Sequence, residues 1–268
     1  MKPISPLEIV QRTPKTNCGE CGHPTCLAFG AAVAKTGGDP TACPYINLKG
    51  LSIETAKPSK DQREKDLEFV AYLKSKIAPL DFNFVAETFG AKSNKDLETL
   101  NFDYLGQSVQ LSKETILLNG VEPEDPRDQI LLYNYISAPA DFPLSGEWVG
   151  MESLPTTISK IRTLAEYGED RIAKLFSTIP FDTINSIINN LNPSQPLENT
   201  ASYAAIIPVL PKVPQYLLFW EEDKEDNFDA KVKILFDKNV LSFLDLESLV
   251  FSSERLADKI IELSKSSS

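Results

Sequence analysis

The chain has 268 residues, 42% of them hydrophobic and 24% charged, with a formal net charge of −11. That length can bury one or two cores, and no apolar run approaches the roughly 18 residues of a spanning helix, so membrane insertion is not expected. Residues 1–50 carry Lys2, Arg12, Lys15, Lys35 and Lys49 against Glu8, Glu20 and Asp39, a balance of +2 that leaves −13 on the remainder; so acidic a body lacks the basic face that binds nucleic acid.

Residues 1–12 have neither the continuous apolar core nor the small-residue cleavage site of a secretory signal, so the expected compartment is the cytoplasm. Thiols stay reduced there, and grouped cysteines read as metal ligands rather than as a disulfide framework. Leu7, Ile9 and Val10 form a short apolar-periodic stretch, and Thr13-Pro14 then signals a turn. The only four cysteines follow: Cys18, Cys21, Cys26 and Cys43, spaced C-x2-C-x4-C-x16-C, with Pro44 directly after the last. This spacing and the trailing proline point to an iron–sulfur cluster. Structural zinc is the chief rival, but zinc usually takes two C-x2-C knuckles or paired Cys and His.

The loop from Asn17 to Pro24 holds two glycines and a proline and cannot be regular helix. Gly19 and Gly22 each follow a cysteine, letting the backbone turn N–H groups toward sulfur, which tunes a cluster's potential. Residues 27–35 predict a helix with Leu27, Ala31 and Ala34 on one face, Cys26 at its start and Gly37-Gly38 at its end. The free N–H groups at the start favour a thiolate there. Asp39 to Ala42 then returns Cys43 to the other three. An oxidised four-iron cluster with four thiolates carries a formal charge of about −2, which the local excess of positive charge offsets. His23, the only histidine, lies inside the loop and reads as an exposed residue or one that supports the ligands from outside, rather than as a ligand.

Residues 3–46, with PKTNCGECGHPTCLAFGAAVAK and ACPY, resemble the N-terminal 4Fe–4S module of the corrinoid iron–sulfur protein large subunit of the acetyl-CoA pathway. The resemblance implies one 4Fe–4S cluster with Cys18, Cys21, Cys26 and Cys43 as its ligands. It also implies low-potential electron transfer or reductive activation, with a ferredoxin-like donor and a corrinoid protein as acceptor. It ends near residue 46. No eight strand–helix repeats follow to hold cobalamin, and no histidine stands in a D-x-H-x-x-G setting.

Residues 57–65 read as a charged linker entering a helix with Leu67, Val70, Leu73 and Ile77 as its apolar stripe, ended by Pro79. Strand alternation is expected in Phe82-Asn83-Phe84-Val85 and from Thr99 to Leu118, with turns at Gly106 and Asn119-Gly120. Asp125-Pro126 starts a helix through Ile136, and residues 138–155 read as a loop. Helices follow over 158–167, 169–177 and 181–190, then a loop over 192–200. Strands are expected over 203–210, 215–221 and 231–237, and a last helix over 246–264. The fold class is α+β: a cluster module (1–50), a linker and helix (51–79), and a mixed, largely antiparallel α+β domain (80–268).

Ser153-Leu154-Pro155, Pro211-Lys212-Val213-Pro214, the run from Leu217 to Asp223, and Ile234 to Asp237 resemble an uncharacterised family fused to such cluster modules in anaerobes. That resemblance covers residues 80–262 and implies no activity. No phosphate-binding loop, dinucleotide fingerprint, nucleophile elbow or zinc-protease motif is present. With no histidine or cysteine after residue 43, the usual nucleophile–base pairs are missing, so no catalytic residue is expected. The acidic run Glu221 to Asp226, with Asp229 and Asp237, offers either a cation or basic-partner site or a solvated hairpin tip, the latter being the usual fate of like charges. Trp148 and Trp220 offer either a stacking platform for a planar ligand or ordinary packing. Two functions remain: an electron carrier, or a non-redox assembly or sensor module ordered by its cluster.

Overall fold

The computed structural model describes residues 5–36, 40–48, 62–223 and 228–266. The chain divides into two units, Met1–Lys65 and Asp66–Ser268.

In the first unit, α1 (Pro6–Gln11) starts at Ser5, whose hydroxyl accepts from the Glu8 N–H while the Glu8 carboxylate accepts from the Ser5 N–H. That reciprocal capping satisfies two otherwise free donors. α2 (Cys26–Thr36) begins as expected at Cys26; its first turn is held by the Thr25 hydroxyl, which accepts from the Ala28 N–H at 3.0 Å. The Gly37-Gly38 stop and Asp39 lie outside the described residues. The buried face of α2 differs from the expected one. Phe29 and Val33 are buried with Ile9, whereas Leu27 is 55% exposed. Phe29 and Val33 are one helical turn apart, and Gly30 between them lets α1 approach: a Cβ there would stand 2.6 Å from the Pro6 carbonyl oxygen. A 3-10 turn, Pro40–Ala42, leads into Cys43.

The helix α3 (Gln62–Ile77) begins four residues before the second unit and, within that unit, buries Val70, Leu73 and Ile77, while Leu67 stays largely exposed. Residues 57–61 of the expected linker lie outside the described residues. The expected strand at Phe82 is instead a short helix, α4 (Phe82–Val85). The Asp81 side chain caps it by accepting from the Asn83 N–H, and this local bond overrides the apolar alternation. β1 (Lys92–Asn94), too polar and short to stand out in the sequence, joins β2 (Thr99–Tyr104), β3 (Gln107–Leu111) and β4 (Ile116–Leu118) in an antiparallel sheet in that order.

α5 (Pro126–Ile136) is capped by Asp125. The expected loop over 138–155 contains β5 (Trp148–Gly150). β5 pairs with β8 (Lys231–Asp237) in a second antiparallel sheet of order β5-β8-β7-β6, with β6 at Tyr203–Leu210 and β7 at Val213–Trp220. The Leu105 N–H donates to the Val209 carbonyl at 3.1 Å and ties the two sheets.

α6 (Ile158–Leu164) and α7 (Asp170–Phe176) are joined by a π-helical turn, Ala165–Glu169, rather than by a break. The turn brings Glu169 under β8, where its carboxylate accepts from the Ile234 N–H at 2.9 Å. β5 pairs with β8 only at Leu235–Asp237, so the carboxylate stands in for a strand partner that the chain does not supply. α8 (Phe181–Asn189) and α9 (Leu246–Ser266) complete the unit, α9 packing against α5, α6, α7 and α8. One continuous apolar core runs through both sheets and these helices. Arg255 of α9 clips α5 by a two-bond pair with Asp128 (2.9 and 2.7 Å) and a bond to Asp125 (2.8 Å). The buried Tyr104 hydroxyl of β2 donates to the same Asp128 at 3.1 Å.

Candidate metal centre

All four cysteines are free thiols: Cys18 is exposed, Cys21 and Cys26 half-buried and Cys43 buried. Among the described residues, Cys43 is one of four in the small core of the first unit, with Ile9, Phe29 and Val33, and Cys21 packs against that core. The Tyr45 hydroxyl, two residues beyond Cys43, donates to both Glu20 oxygens at 3.2 and 3.0 Å. Glu20 lies between Cys18 and Cys21, so this bond latches the returning segment onto the cysteine loop. The Glu20 carboxylate, with smaller contributions from the neighbouring Cys18 and Cys43, raises the Tyr45 pKa. The Asn47 N–H donates to the Arg12 carbonyl at 2.9 Å and closes the segment against the end of α1.

Cys26 is held from the opposite side. Its N–H donates to Asn17 Oδ1 at 2.8 Å. Polar groups of the preceding loop, Thr13 foremost and then the backbone of Asn17, lower its pKa against the opposing effect of burial, while the Thr13 hydroxyl itself donates to the Val10 carbonyl at 2.8 Å. The backbone of that loop bends: Lys15 and Asn17 adopt φ of 58° and 51°, and Gly19 and Gly22 φ of 78° and 80°. Successive N–H groups in such bends form a nest for negative charge. His23 is half-buried beside Phe29, ring centroids 5.9 Å apart.

Among the described residues no three His, Cys, Asp or Glu side chains stand in single-ion chelating geometry. The donor set, four unpaired cysteines on one short segment, suits an iron–sulfur cluster in its chemistry. The Glu20–Tyr45 latch did not stand out in the sequence, because it acts across a chain reversal that spacing alone does not reveal.

The other candidates resolve differently. Asp237 accepts from Ser145 N and Oγ, Gly146 N and Asn239 N at 2.7–3.1 Å, so both its oxygens are engaged in holding the backbone around it. Glu221, Glu222 and Asp223 are exposed at the β7–β8 connection, the solvated-tip arrangement; Lys224, Glu225 and Asp226 lie outside the described residues. Trp148 packs edge-on against Tyr216, centroids 5.4 Å apart, and Trp220 closes β7 opposite Lys231. A cleft of about 660 Å³ opens over the first sheet. Its floor is the in-register row Lys92, Asn101, Gln110 and Leu117, a hydrogen-bonding surface without a nucleophile–base pair.

Residues 81–259 match the model of a domain of unknown function, DUF3786. The chain belongs to the DUF3786 family. In this DUF3786 protein, residues 14–45 match a second model, described as "Putative Fe-S cluster". Its N-terminal segment is 49% identical over 45 residues to the corrinoid/iron-sulfur protein large subunit of Moorella thermoacetica, covering 17% of this chain and 10% of that one. It is 52% identical over 46 residues to the acetyl-CoA decarbonylase/synthase complex subunit gamma 2 of Methanosarcina thermophila, again 17% and 10%. A gamma subunit from Archaeoglobus fulgidus is 46% identical over 43 residues, 16% and 9%. The chain thus spans about a tenth of the length of these relatives. No solved structure matches it. The DUF3786 protein therefore joins an iron–sulfur cluster module to its family domain.

Proposed function

We propose that Cys18, Cys21, Cys26 and Cys43 hold one 4Fe–4S cluster and that this DUF3786 protein carries single electrons at low potential. Bound there, the cluster supplies one-electron chemistry. Cys43 anchors the site to the apolar core, Cys18 leaves one corner open to solvent, and the polar loop around Cys26 accommodates the charge that reduction adds. In this reading residues 1–50 are the cluster module, and residues 80–268 position an acceptor. The donor is a ferredoxin-like protein and the acceptor a corrinoid protein, by analogy with the relatives' module.

The observation that carries the reading is the lobe itself: four free thiols on one short segment, with the Cys26 N–H held by Asn17 and the segment after Cys43 tied to the cysteine loop by Tyr45 and Glu20. A second reading, a cluster that orders the module and senses oxygen, draws on the exposure of Cys18. Redox titration of anaerobically purified protein, followed by electron paramagnetic resonance, separates the two. The carrier reading expects reversible cycling near the potential of low-potential ferredoxins, on the order of −400 mV. A midpoint far above that, or cluster breakdown on reduction, favours the sensor.

A further inference from the structure

The cleft over the first sheet, which the cluster reading does not use, carries an inference of its own. It encloses about 660 Å³, within the roughly 300–1,000 Å³ of small-molecule sites. Alternate residues of a strand share a sheet face, so the register sets two rows on the cleft floor. Asn101 stands opposite Lys92 on one side and Gln110 on the other, with Leu117 beyond. Asp103 stands opposite Ser108 in the next row. A solvated sheet face is ordinarily open, but Asn192, Pro208 and Pro211 wall this one. Glycine keeps the walls close. A Cβ at Gly90 (φ 63°) would stand 2.7 Å from the Pro211 Cβ, and one at Gly106 (φ 73°) 2.6 Å from the Asn190 carbonyl oxygen.

The polar groups of this floor are largely unused within the fold. Among the described residues the Lys92 ammonium, the Asp103 carboxylate and the Gln110 amide have no hydrogen-bond or ion-pair partner. Asn101 Nδ2 reaches only the Lys92 carbonyl and the Thr99 hydroxyl, each at 3.5 Å, and both amide residues are half-buried. Half-buried amides without good partners lose hydrogen bonding to water unless something else supplies it. Lys92 and Asp103 are diagonal neighbours across β1 and β2, about 7–8 Å apart, and do not pair with each other. A ligand bearing both charges meets both. A lone anion would be opposed by residues 51–268, whose charges sum to −13, and a lone cation would leave Lys92 unmatched; a net-neutral zwitterion incurs neither penalty.

We propose that this cleft binds a dipeptide with free termini, its carboxylate on Lys92 and its ammonium on Asp103. The amides of Asn101 and Gln110 each offer a donor and an acceptor, which match the N–H and C=O of the peptide group between those ends. Leu117 receives an apolar side chain. The proposal is independent of the cluster and of any metal.

The test titrates glycyl-L-leucine into the full chain by calorimetry. Binding with a Kd below about 1 mM is expected. Affinity should fall at least about tenfold for the N-acetylated peptide, which lacks the ammonium, and for the peptide amide, which lacks the carboxylate, because each loses a charge-assisted bond. Lys92→Met and Asp103→Asn should each weaken the parent peptide to the same extent, and Asp103→Asn should leave the N-acetylated peptide's affinity unchanged. Both side chains are exposed, so the two variants should keep the parent melting temperature. The ligand series needs no variant and decides the matter by itself if one fails to fold. No binding to the parent chain, or equal binding of the three peptides, overturns the proposal. Free L-leucine binding as tightly as the dipeptide overturns the part given to the peptide group.

Discussion

The two units hold themselves together by different means. The first has a buried apolar core of Ile9, Phe29 and Val33, with Cys43 as its fourth member. The second has a continuous core through two sheets and the helices around them, with Leu131, Leu217, Ile234 and Leu256 fully buried. The few buried apolar residues among those described do not offset the chain entropy of such a lobe, and segments of this size usually depend on a metal, disulfides or a partner. Its cysteines are unpaired, so metal is the support its chemistry offers. One unit is thus built around a cofactor, and the other around burial.

The largest expected effect is therefore confined to the first unit. Cys43→Ser removes both a proposed ligand and a core member, so it abolishes iron binding and unfolds residues 5–48. Limited proteolysis should then cut within that segment while the DUF3786 domain stays intact with its own melting temperature. Loss of both units together would break the contrast. Next in size is Arg255→Met, which leaves Asp128 and Asp125 without their shared cation. Removing one partner of a buried pair costs about 3–5 kcal/mol; the partial exposure of this one (19% for Arg255, 13% for Asp128) lowers that to about 2–3 kcal/mol. Urea denaturation of the second unit measures it, with iron content unchanged.

Gly30→Ala sharpens the same division from the other side. Its methyl would press on the Pro6 carbonyl oxygen and drive α1 from α2, at a cost of about 1–3 kcal/mol. Iron should leave this variant faster than the parent, while the melting of the DUF3786 domain stays the same.

The smallest effect is a pH dependence at Glu169. Burial raises this carboxyl above its ordinary 4.5, against the Ile234 N–H and Lys233, which favour the charged form. With the folded value above the unfolded one, the native state holds the proton longer. This contribution to stability is full below about pH 4.5 and is lost as pH rises through the folded value. Glu169→Gln keeps an acceptor for Ile234 and removes the titration. The difference in stability between parent and variant should change across that interval, by about 1.4 kcal/mol for each pH unit it spans. A pH-independent difference would contradict it.

The sequence disclosed most where one physical signal dominated. Apolar alternation from Leu100 to Leu118 and from Tyr203 to Asp237 marked six of the eight described strands, because each buries one face or both. Asp125-Pro126 marked the start of α5 for the same local reason that it caps it. Signals failed where tertiary pairing decides the conformation. β5 is three residues long and is a strand only because β8 lies beside it. Phe82 to Val85 alternates like a strand, yet one Asp81 cap makes it helical. On α2 the alanines suggested a face, but volume chose it, since Phe29 and Val33 fill the space against Ile9. The cysteine spacing stands in the sequence itself, and the ligand role proposed for it rests on thiolate chemistry. Tyr45 was not legible, because its bond to Glu20 depends on a chain reversal 25 residues long.

The central claim, that the cysteine lobe closes around a cluster of iron, is tested most directly by metal and acid-labile sulfide analysis of protein purified without oxygen. About four irons and as many sulfides per chain are expected for one four-iron site. A single zinc, or a colourless chain without metal, would contradict the account.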